Sequence, residues 1–283
     1  MELSSIANLQ CDIFINALSA CASSSCIQQI GNLINSRLIT NEFIFSSLAM
    51  LSNPTIDIIN SIATFIDNIP FHGFLSISSL VQSYCITHSN CQMELSVQRI
   101  IHGISSKLPS NCYVGQEFDE IKKAVIILKS IGNIGYEEYS LSLLSACISN
   151  DQISNEIKIA AIDALRRKPC IHQRNSKIIE LFRNQKENTE VRIIAFRQLM
   201  ECANDELLKI IIEQLNNETI NQVGSYIWSY LNTKQRSTNP GIRNLQYILK
   251  RFHIPKRYNL DLSRFSRYSE LGYFDKEVSN FSI

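Results

Sequence analysis

Residues 156–231, EIKIAAIDALRRKPC (156–170) through VRIIAFRQLMECANDELLKIIIEQL (191–215) to NQVGSYIWSYL (221–231), contain several amphipathic helices in succession. In the first, apolar residues recur every three or four positions, the period of one helical face. They are Ile157, Ala160, Ala161, Ala164 and Leu165. Helices in succession cannot each bury an apolar face alone, so they must pack on their neighbours. The stretch therefore predicts an all-α fold, a curved two-layer α-solenoid of HEAT-like helical hairpins.

The same pattern precedes this stretch and stops after it. Towards the N-terminus, from Leu3 onward, pairs of helical segments return about every 30 to 40 residues, within the range of HEAT-like repeats. After Phe252, His253-Ile254-Pro255 breaks the helical period. Asn259–Tyr268 then alternates apolar and polar residues, which is typical of a strand. We therefore predict a short β segment at the C-terminus.

Bulk composition excludes several classes of function. The 283 residues carry a formal net charge of +1, which gives no electrostatic reason to expect nucleic acid as a partner. No run of about 18 apolar residues is present, so no transmembrane segment is predicted. The start, MELSSIANLQCDIF, lacks the features of a signal peptide, which by itself would favour the cytosol.

Six stretches carry a resemblance to a known family. AAIDALRRKPC, VRIIAFRQLM and NQVGSYIWSYL resemble the helical domain of the large lipid transfer proteins, which comprise vitellogenins, insect-type apolipophorins, apolipoprotein B and the microsomal triglyceride transfer protein. CASSSC (21–26), ILKSIGNIG (127–135) and DLSRFSRYSE (261–270) match the same family in the same order. The resemblance covers nearly the whole chain and is strongest to apolipophorins and vitellogenins, although no single stretch is a chemical signature.

The resemblance implies a function and a domain organisation. Residues 1–252 would be a vitellogenin-type superhelical domain, and 253–283 the truncated start of a β-sheet domain. The chain would be an internal piece of a secreted lipid carrier, with Met1 an internal or fragment-start methionine. Phospholipid and neutral lipid would be held non-covalently in a cavity walled mainly by β-sheets, which the helices support. A lipoprotein receptor is a further partner that the resemblance suggests.

Nine cysteines bear on the compartment. Cytosolic solenoids also use buried cysteines as small hydrophobic residues. Here, however, eight of them look paired, and two of the spacings recur in the family. The predicted disulfides are Cys21–Cys26, Cys85–Cys91, Cys112–Cys147 and Cys170–Cys202. Connectivity does not follow from sequence alone, and Cys11 is left over. Disulfides would indicate an oxidising compartment.

Few residues suggest site chemistry. Cys85, His88 and Cys91 have the spacing of zinc ligands, but no fourth ligand lies nearby, so a local disulfide is favoured. The chain has no HExxH pair, GxSxG elbow or glycine-rich phosphate loop. We therefore predict no enzyme activity, no metal and no cofactor other than carried lipid. Asn217-Glu218-Thr219 fits the glycosylation sequon and lies in a polar turn, which makes Asn217 a better candidate than Asn280.

Aromatic and basic clusters have simple structural interpretations. Tyr226 and Tyr230 are predicted to be core and Trp228 to pack between helices, rather than to form a binding patch. The run Arg166–Lys168 is interpreted as a solvated helix end. The basic stretch from Lys250 to Arg267 could touch a lipid headgroup or a receptor, but a solvated strand edge is favoured.

Two alternatives to the lipid carrier stay open. A cytosolic HEAT-like scaffold would bind proteins along its concave face and would have free thiols. An enzyme with a site assembled by the fold would need a pocket with strongly perturbed titratable groups.

Overall fold

The fold is described from a computed structural model. It describes residues 13–14, 17–18, 20–21, 23–37, 42–51, 53–135, 140–168, 170, 172–255, 258–261, 264–270, 272–273 and 281–282. The chain divides into two compact units, Met1–Lys168 and Pro169–Ile283. Within the described ranges no helix is both long and apolar enough to cross a membrane. Cys11, Asn280 and most of the helix predicted from Leu3 lie outside the described residues.

The first unit is built from α-helices with short 3-10 helices between them. The α-helices are α1 Ser24–Asn35, α2 Ile56–Ala63, α3 Gly73–Thr87, α4 Leu95–Ser105, α5 Phe118–Ile134, α6 Leu141–Ser149 and α7 Asn155–Asp163. The 3-10 helices are Glu42–Met50, Ile66–Asn68 and Cys91–Met93. Alternate elements are neighbours: α5 packs on both α3 and α7, and α2 packs on both α1 and α4. This alternation is typical of stacked helical hairpins.

Side-chain caps and a left-handed glycine fix several helix ends of the first unit. Ser23 accepts a hydrogen bond from the amide of Cys26 at 3.3 Å, and Ser154 caps α7 through the amide of Ile157. Gly135 ends α5 with φ of +82°, as glycine favours. Gly132 lies inside this helix.

The sequence predicts that the run Arg166–Lys168 is a solvated helix end, and this prediction is wrong. Lys168 is buried, and its Nζ donates to Ser140 Oγ at 2.9 Å. Arg166 is half-buried and donates to Asn133 Oδ1 at 2.6 Å. The reason is the close approach of this run to α5 at Gly132, where an added Cβ would lie 2.7 Å from the Ala164 Cα. Arg167 also donates to the carbonyl of Asn133, so all three cations bind neighbouring elements.

The second unit contains five described α-helices. They are α8 His172–Arg183, α9 Thr189–Glu201, α10 Asp205–Asn217, α11 Asn221–Arg236 and α12 Arg243–Leu249, with a 3-10 helix at Pro240–Ile242. α9 packs on α8 and α11, and α12 packs on α11. Asn204 caps α10, since its Oδ1 accepts from the Leu207 amide at 2.9 Å.

The C-terminal residues differ from the predicted strand. Asn259–Tyr268 forms no strand where the structure describes it. The strands of the described residues are an antiparallel pair, β1 Gly272–Tyr273 and β2 Phe281–Ser282. The all-α prediction is therefore confirmed for the described helices, whereas the β-sheet domain from residue 253 stays a prediction.

Candidate functional site

The described residues 258–261 and 264–270, here called the C-terminal segment, lie along α11. Asn221 on this helix makes two hydrogen bonds to the main chain of Asn259, one to its N–H and one to its carbonyl oxygen, both 2.9 Å. This pairing explains why the alternating sequence forms no strand here, because a helix side chain satisfies the main chain that a neighbouring strand would otherwise bind.

Three further side chains of α11 continue this recognition. Gln222 Oε1 accepts from the Ser266 amide at 3.1 Å, and Ser225 Oγ donates to the Ser266 carbonyl at 3.2 Å. Ser229 Oγ accepts from the Tyr268 amide at 2.9 Å. Positions 221, 225 and 229 are four residues apart and so share one helical face. That face binds an extended chain largely through its backbone.

An aromatic cluster with one ion pair anchors the end of the C-terminal segment. The Tyr268 ring centroid lies 4.4 Å from that of Tyr230, which in turn lies 5.2 Å from that of Phe196. Lys234 Nζ donates to Glu270 at 2.6 Å and sits 5.3 Å from the Tyr268 ring centroid. These contacts are typical of a packed cluster rather than of an open binding patch.

The titration of the cluster follows from this packing. Burial raises the pKa of Tyr230, so its phenol stays neutral. Burial is the largest single influence on Lys234 and opposes its charge, but the hydrogen bonds to Glu270 and Tyr268 and the nearby tyrosines together raise the pKa of Lys234. The hydrogen bond from Lys234 is the main cause that lowers the pKa of Glu270. The predicted core position of Tyr226 and Tyr230 holds only in part, because both are half-buried, as is Trp228.

We expect Gly224→Ala to loosen the C-terminal segment. An added Cβ would collide with the ring of Tyr258, whose hydroxyl donates to the carbonyl of Leu215. Overpacking of this kind costs about 1–3 kcal/mol. Hydrogen exchange at the amides of Ser266 and Tyr268 should therefore become faster. Tyr258→Phe is the matched control, since it removes the hydroxyl group and keeps the ring that lies against Gly224. Equal protection of the two amides in Gly224→Ala and in the native chain would contradict the assigned packing of this ring.

A buried ion pair lies between α9 and the turn after α10. Arg192 donates through two nitrogens to both carboxylate oxygens of Glu218, and its Nε donates to the Phe182 carbonyl at 3.1 Å. Glu218 also accepts from the amides of Thr219 and Ile220. Both side chains are fully buried. Burial is the largest single influence on Glu218 and would raise its pKa, but the hydrogen bonds from Arg192, Ile220 and Gln214 and the charge of Arg192 together lower that pKa.

The sequence interpretation did not identify this pair. The available signal was Arg192 inside the apolar run VRIIAF, because an arginine within a fully buried helix requires a partner. The partner, Glu218, is 26 residues away in sequence. It also occupies the middle of the predicted glycosylation sequon.

The sequon itself lies at the end of α10. Asn217 is exposed, and its carbonyl accepts from Gln185 Nε2 at 3.3 Å. Thr219 is also exposed, and its hydroxyl donates to Gln185 Oε1 at 3.3 Å. The Asn217 side chain thus faces solvent beside a fixed turn, and its glycosylation stays a prediction.

The structure brings together all four predicted cysteine pairs as disulfides. The Cα–Cα distances are 6.3 Å for Cys21–Cys26, 5.3 Å for Cys85–Cys91, 5.0 Å for Cys112–Cys147 and 5.6 Å for Cys170–Cys202. The first two close short loops, whereas the other two bridge 35 and 32 residues. Each disulfide lies within one of the two units.

The arrangement around His88 does not offer a zinc site. The sulfurs of Cys85 and Cys91 are joined to each other, and the His88 ring stacks on Tyr84 with ring centroids 4.2 Å apart. Across the described part of the chain, no three His, Cys, Asp or Glu side chains are grouped as metal ligands.

An open cleft of about 320 Å³ in the first unit has no catalytic pairing. Its lining is His102, Ser105, Ser106, Leu108, Ser110, Ser142 and Leu143. The hydroxyls of Ser105 and Ser106 donate to main-chain carbonyls of Ile101 and Gly103, at 2.8 and 3.2 Å. They are therefore engaged by their own helix rather than held by a histidine base.

Comparison with known proteins places this fold in a family. The family model of the vitellogenin TPR domain matches residues 4–232. The apolipophorins of Locusta migratoria are 27% identical over 93% of this chain, and the vitellogenin of Penaeus merguiensis is 25% identical over 92%. The apolipophorins of Drosophila melanogaster are 31% identical over 73% of it. The chain spans only 8%, 10% and 6% of the lengths of these three relatives.

A solved structure agrees at the level of fold. It concerns lipid–protein interactions in lipovitellin, aligns with a TM-score of 0.64 at 23% identity, and covers 83% of this chain and 26% of its own. Together with the match of the family model over residues 4–232, it leads to one conclusion: this chain belongs to the large lipid transfer protein family, through its vitellogenin TPR domain.

Proposed function

We propose that this chain is the helical scaffold domain of a secreted lipid carrier and has no catalytic role. The match of the vitellogenin TPR domain over residues 4–232 carries the proposal. The relatives that support it are named apolipophorins and vitellogenins, and the carried lipid would be phospholipid and neutral lipid. A lipoprotein receptor is a further proposed partner.

The proposed mechanism is mechanical. Alternate elements pack on one another within each unit, as α5 does on α3 and α7, and we interpret this as a curved two-layer solenoid. Such an arch supports the β-sheets that would enclose lipid, starting from a domain at residues 253–283. Because each hairpin contacts only its neighbours, small rotations add along the stack, and the arch can widen as cargo enters.

Secretion is proposed from the cysteines and the sequon. Disulfides persist in oxidising compartments and are rare in the cytosol. Eight cysteines lie in four bonded pairs, and Asn217 is exposed to solvent. A cytosolic HEAT-like scaffold, the second candidate, would hold these thiols reduced, and its concave face would bind other proteins.

A thiol map of the protein taken from extracellular fluid tests this function. Alkylation without reduction, followed by mass spectrometry, should leave all eight paired cysteines unmodified, with Asn217 glycosylated. Extraction of the same sample should release phospholipid and neutral lipid. Free thiols throughout, with the protein found only inside cells, would instead support the cytosolic scaffold. Disulfides without lipid would support secretion but overturn the carrier function.

A further inference from the structure

Charge is distributed unevenly along the second unit. Between residues 219 and 260 the sequence contains no Asp or Glu. Its Lys and Arg residues are Lys234, Arg236, Arg243, Lys250, Arg251, Lys256 and Arg257. Since the whole chain has a formal net charge of only +1, the remainder of the chain is net negative. The basic character of this stretch is therefore a local property that the overall charge conceals.

Helix α12 displays part of this charge on its surface. Leu249 is the only residue of the helix that is fully buried. Tyr247 lies four residues after Arg243, and Lys250 and Arg251, which directly follow the helix, lie three and four residues after Tyr247. The four residues therefore fall on one side of the helix and its C-terminal end. All four are exposed, and Tyr247 is 72% exposed. We call these four residues the α12 face.

The charge on this face is only partly neutralised. Arg251 pairs with Asp205 at the start of α10, and its guanidinium carbon sits 5.6 Å from the centre of the Tyr247 ring. Neither Arg243 nor Lys250 has an acidic partner among the residues that the structure describes. Two cations thus flank an exposed aromatic ring, and no carboxylate in the described part of the chain neutralises either cation.

This combination fits an anionic lipid bilayer better than a soluble polyanion. Lys and Arg near an anionic leaflet are attracted to its headgroups, and a tyrosine places its ring at the boundary between headgroups and acyl chains. A soluble polyanion requires the cations but gives no reason for the exposed ring. We propose that the α12 face binds the surface of a bilayer that carries anionic phosphate headgroups. This docking surface goes beyond the proposed function and does not depend on it.

Sedimentation of the full chain with vesicles tests the proposal. The chain should bind vesicles of phosphatidylcholine mixed with phosphatidylserine and bind pure phosphatidylcholine weakly. Each cation near an anionic leaflet contributes about fivefold to binding, so Arg243→Ser with Lys250→Ser should weaken it about 25-fold. That variant should also reduce the salt dependence. Tyr247→Ser should weaken binding while leaving the salt dependence unchanged.

The matched control removes the same charge elsewhere. Lys122→Ser with Lys129→Ser changes two exposed lysines of α5 and should leave vesicle binding unchanged. Equal losses in the two double variants would overturn the proposal, since net charge alone would then explain the binding. Binding to heparin in place of vesicles, unaffected by Tyr247→Ser, would also overturn it. Because these assays use bilayers and not extracted cargo, failure here leaves the lipid-carrier function untouched.

Discussion

Replacing Arg192 by Met is expected to lower the free energy of unfolding by about 3–5 kcal/mol. The substitution keeps most of the side-chain volume but leaves Glu218 buried without its counter-ion. Taking a charge out of water is costly unless it is paired. The remaining donors to Glu218, the main-chain amides of Thr219 and Ile220 and the side chain of Gln214, replace only part of the lost interaction. Urea unfolding followed by circular dichroism measures the loss.

The chain offers a matched control for this change. Arg183 and Glu213 form another cross-helix pair at 2.9 Å, but both side chains are exposed, at 44% and 66%. Arg183→Met should therefore cost no more than about 1 kcal/mol. The double variant Arg192→Met, Glu218→Gln should recover much of the loss, since no buried charge remains. Similar losses for Arg192→Met and Arg183→Met would show that the pair is not buried in solution.

The native chain and the double variant Arg192→Met, Glu218→Gln should also differ in how their stability depends on pH. Because the pKa of Glu218 is lowered in the folded state, its stabilising contribution is fully present above the unfolded value of about 4.3. That contribution is lost as the pH falls through the folded pKa. The native chain should thus lose stability below about pH 4 more steeply than the double variant.

Removing the Cys112–Cys147 disulfide should cost about 4 kcal/mol in the first unit. A disulfide stabilises mainly by restricting the unfolded chain, and the effect grows with the closed loop, here 35 residues. Cys112→Ala with Cys147→Ala should therefore lower the unfolding midpoint in urea substantially. Cys85→Ala with Cys91→Ala is the control, because these cysteines are also buried but close a loop of six residues.

The control variant should lose only about 2 kcal/mol. With reducing agent, the native chain should become less stable than either variant is without it. The loss of stability on reduction should be smaller for each variant than for the native chain. Equal losses of stability on removing the two disulfides would show that they do not act mainly by restricting the entropy of the unfolded chain.

The features that sequence predicted here are local or repetitive. The apolar faces of the helices within residues 156–231, such as α7 and α9, depend on residues within a few positions of one another. The pairing of cysteines was also suggested by spacing, and for two pairs by spacings that recur in the family.

The features that sequence did not predict depend on contacts between distant segments. In the sequence, Lys168 looks like an ordinary basic residue at a helix end, and Glu218 looks like an ordinary polar residue of a turn. Their partners, Ser140 and Arg192, are distant in sequence and are identified only by the fold. The alternation in Asn259–Tyr268 predicted a strand because periodicity reports which faces are buried, not which groups satisfy the backbone. Here side chains of α11 supply those partners, and no neighbouring strand is needed.

The main-chain hydrogen bonds between α11 and the C-terminal segment determine which substitutions this contact tolerates. Asn221, Ser225 and Ser229 bind the main-chain atoms of Asn259, Ser266 and Tyr268, which every residue except proline supplies in full. Substitutions on the segment would therefore keep these bonds, whereas substitutions at the three helix positions would delete them. For these main-chain bonds, the sequence requirement therefore falls on the helix and not on the segment that it binds.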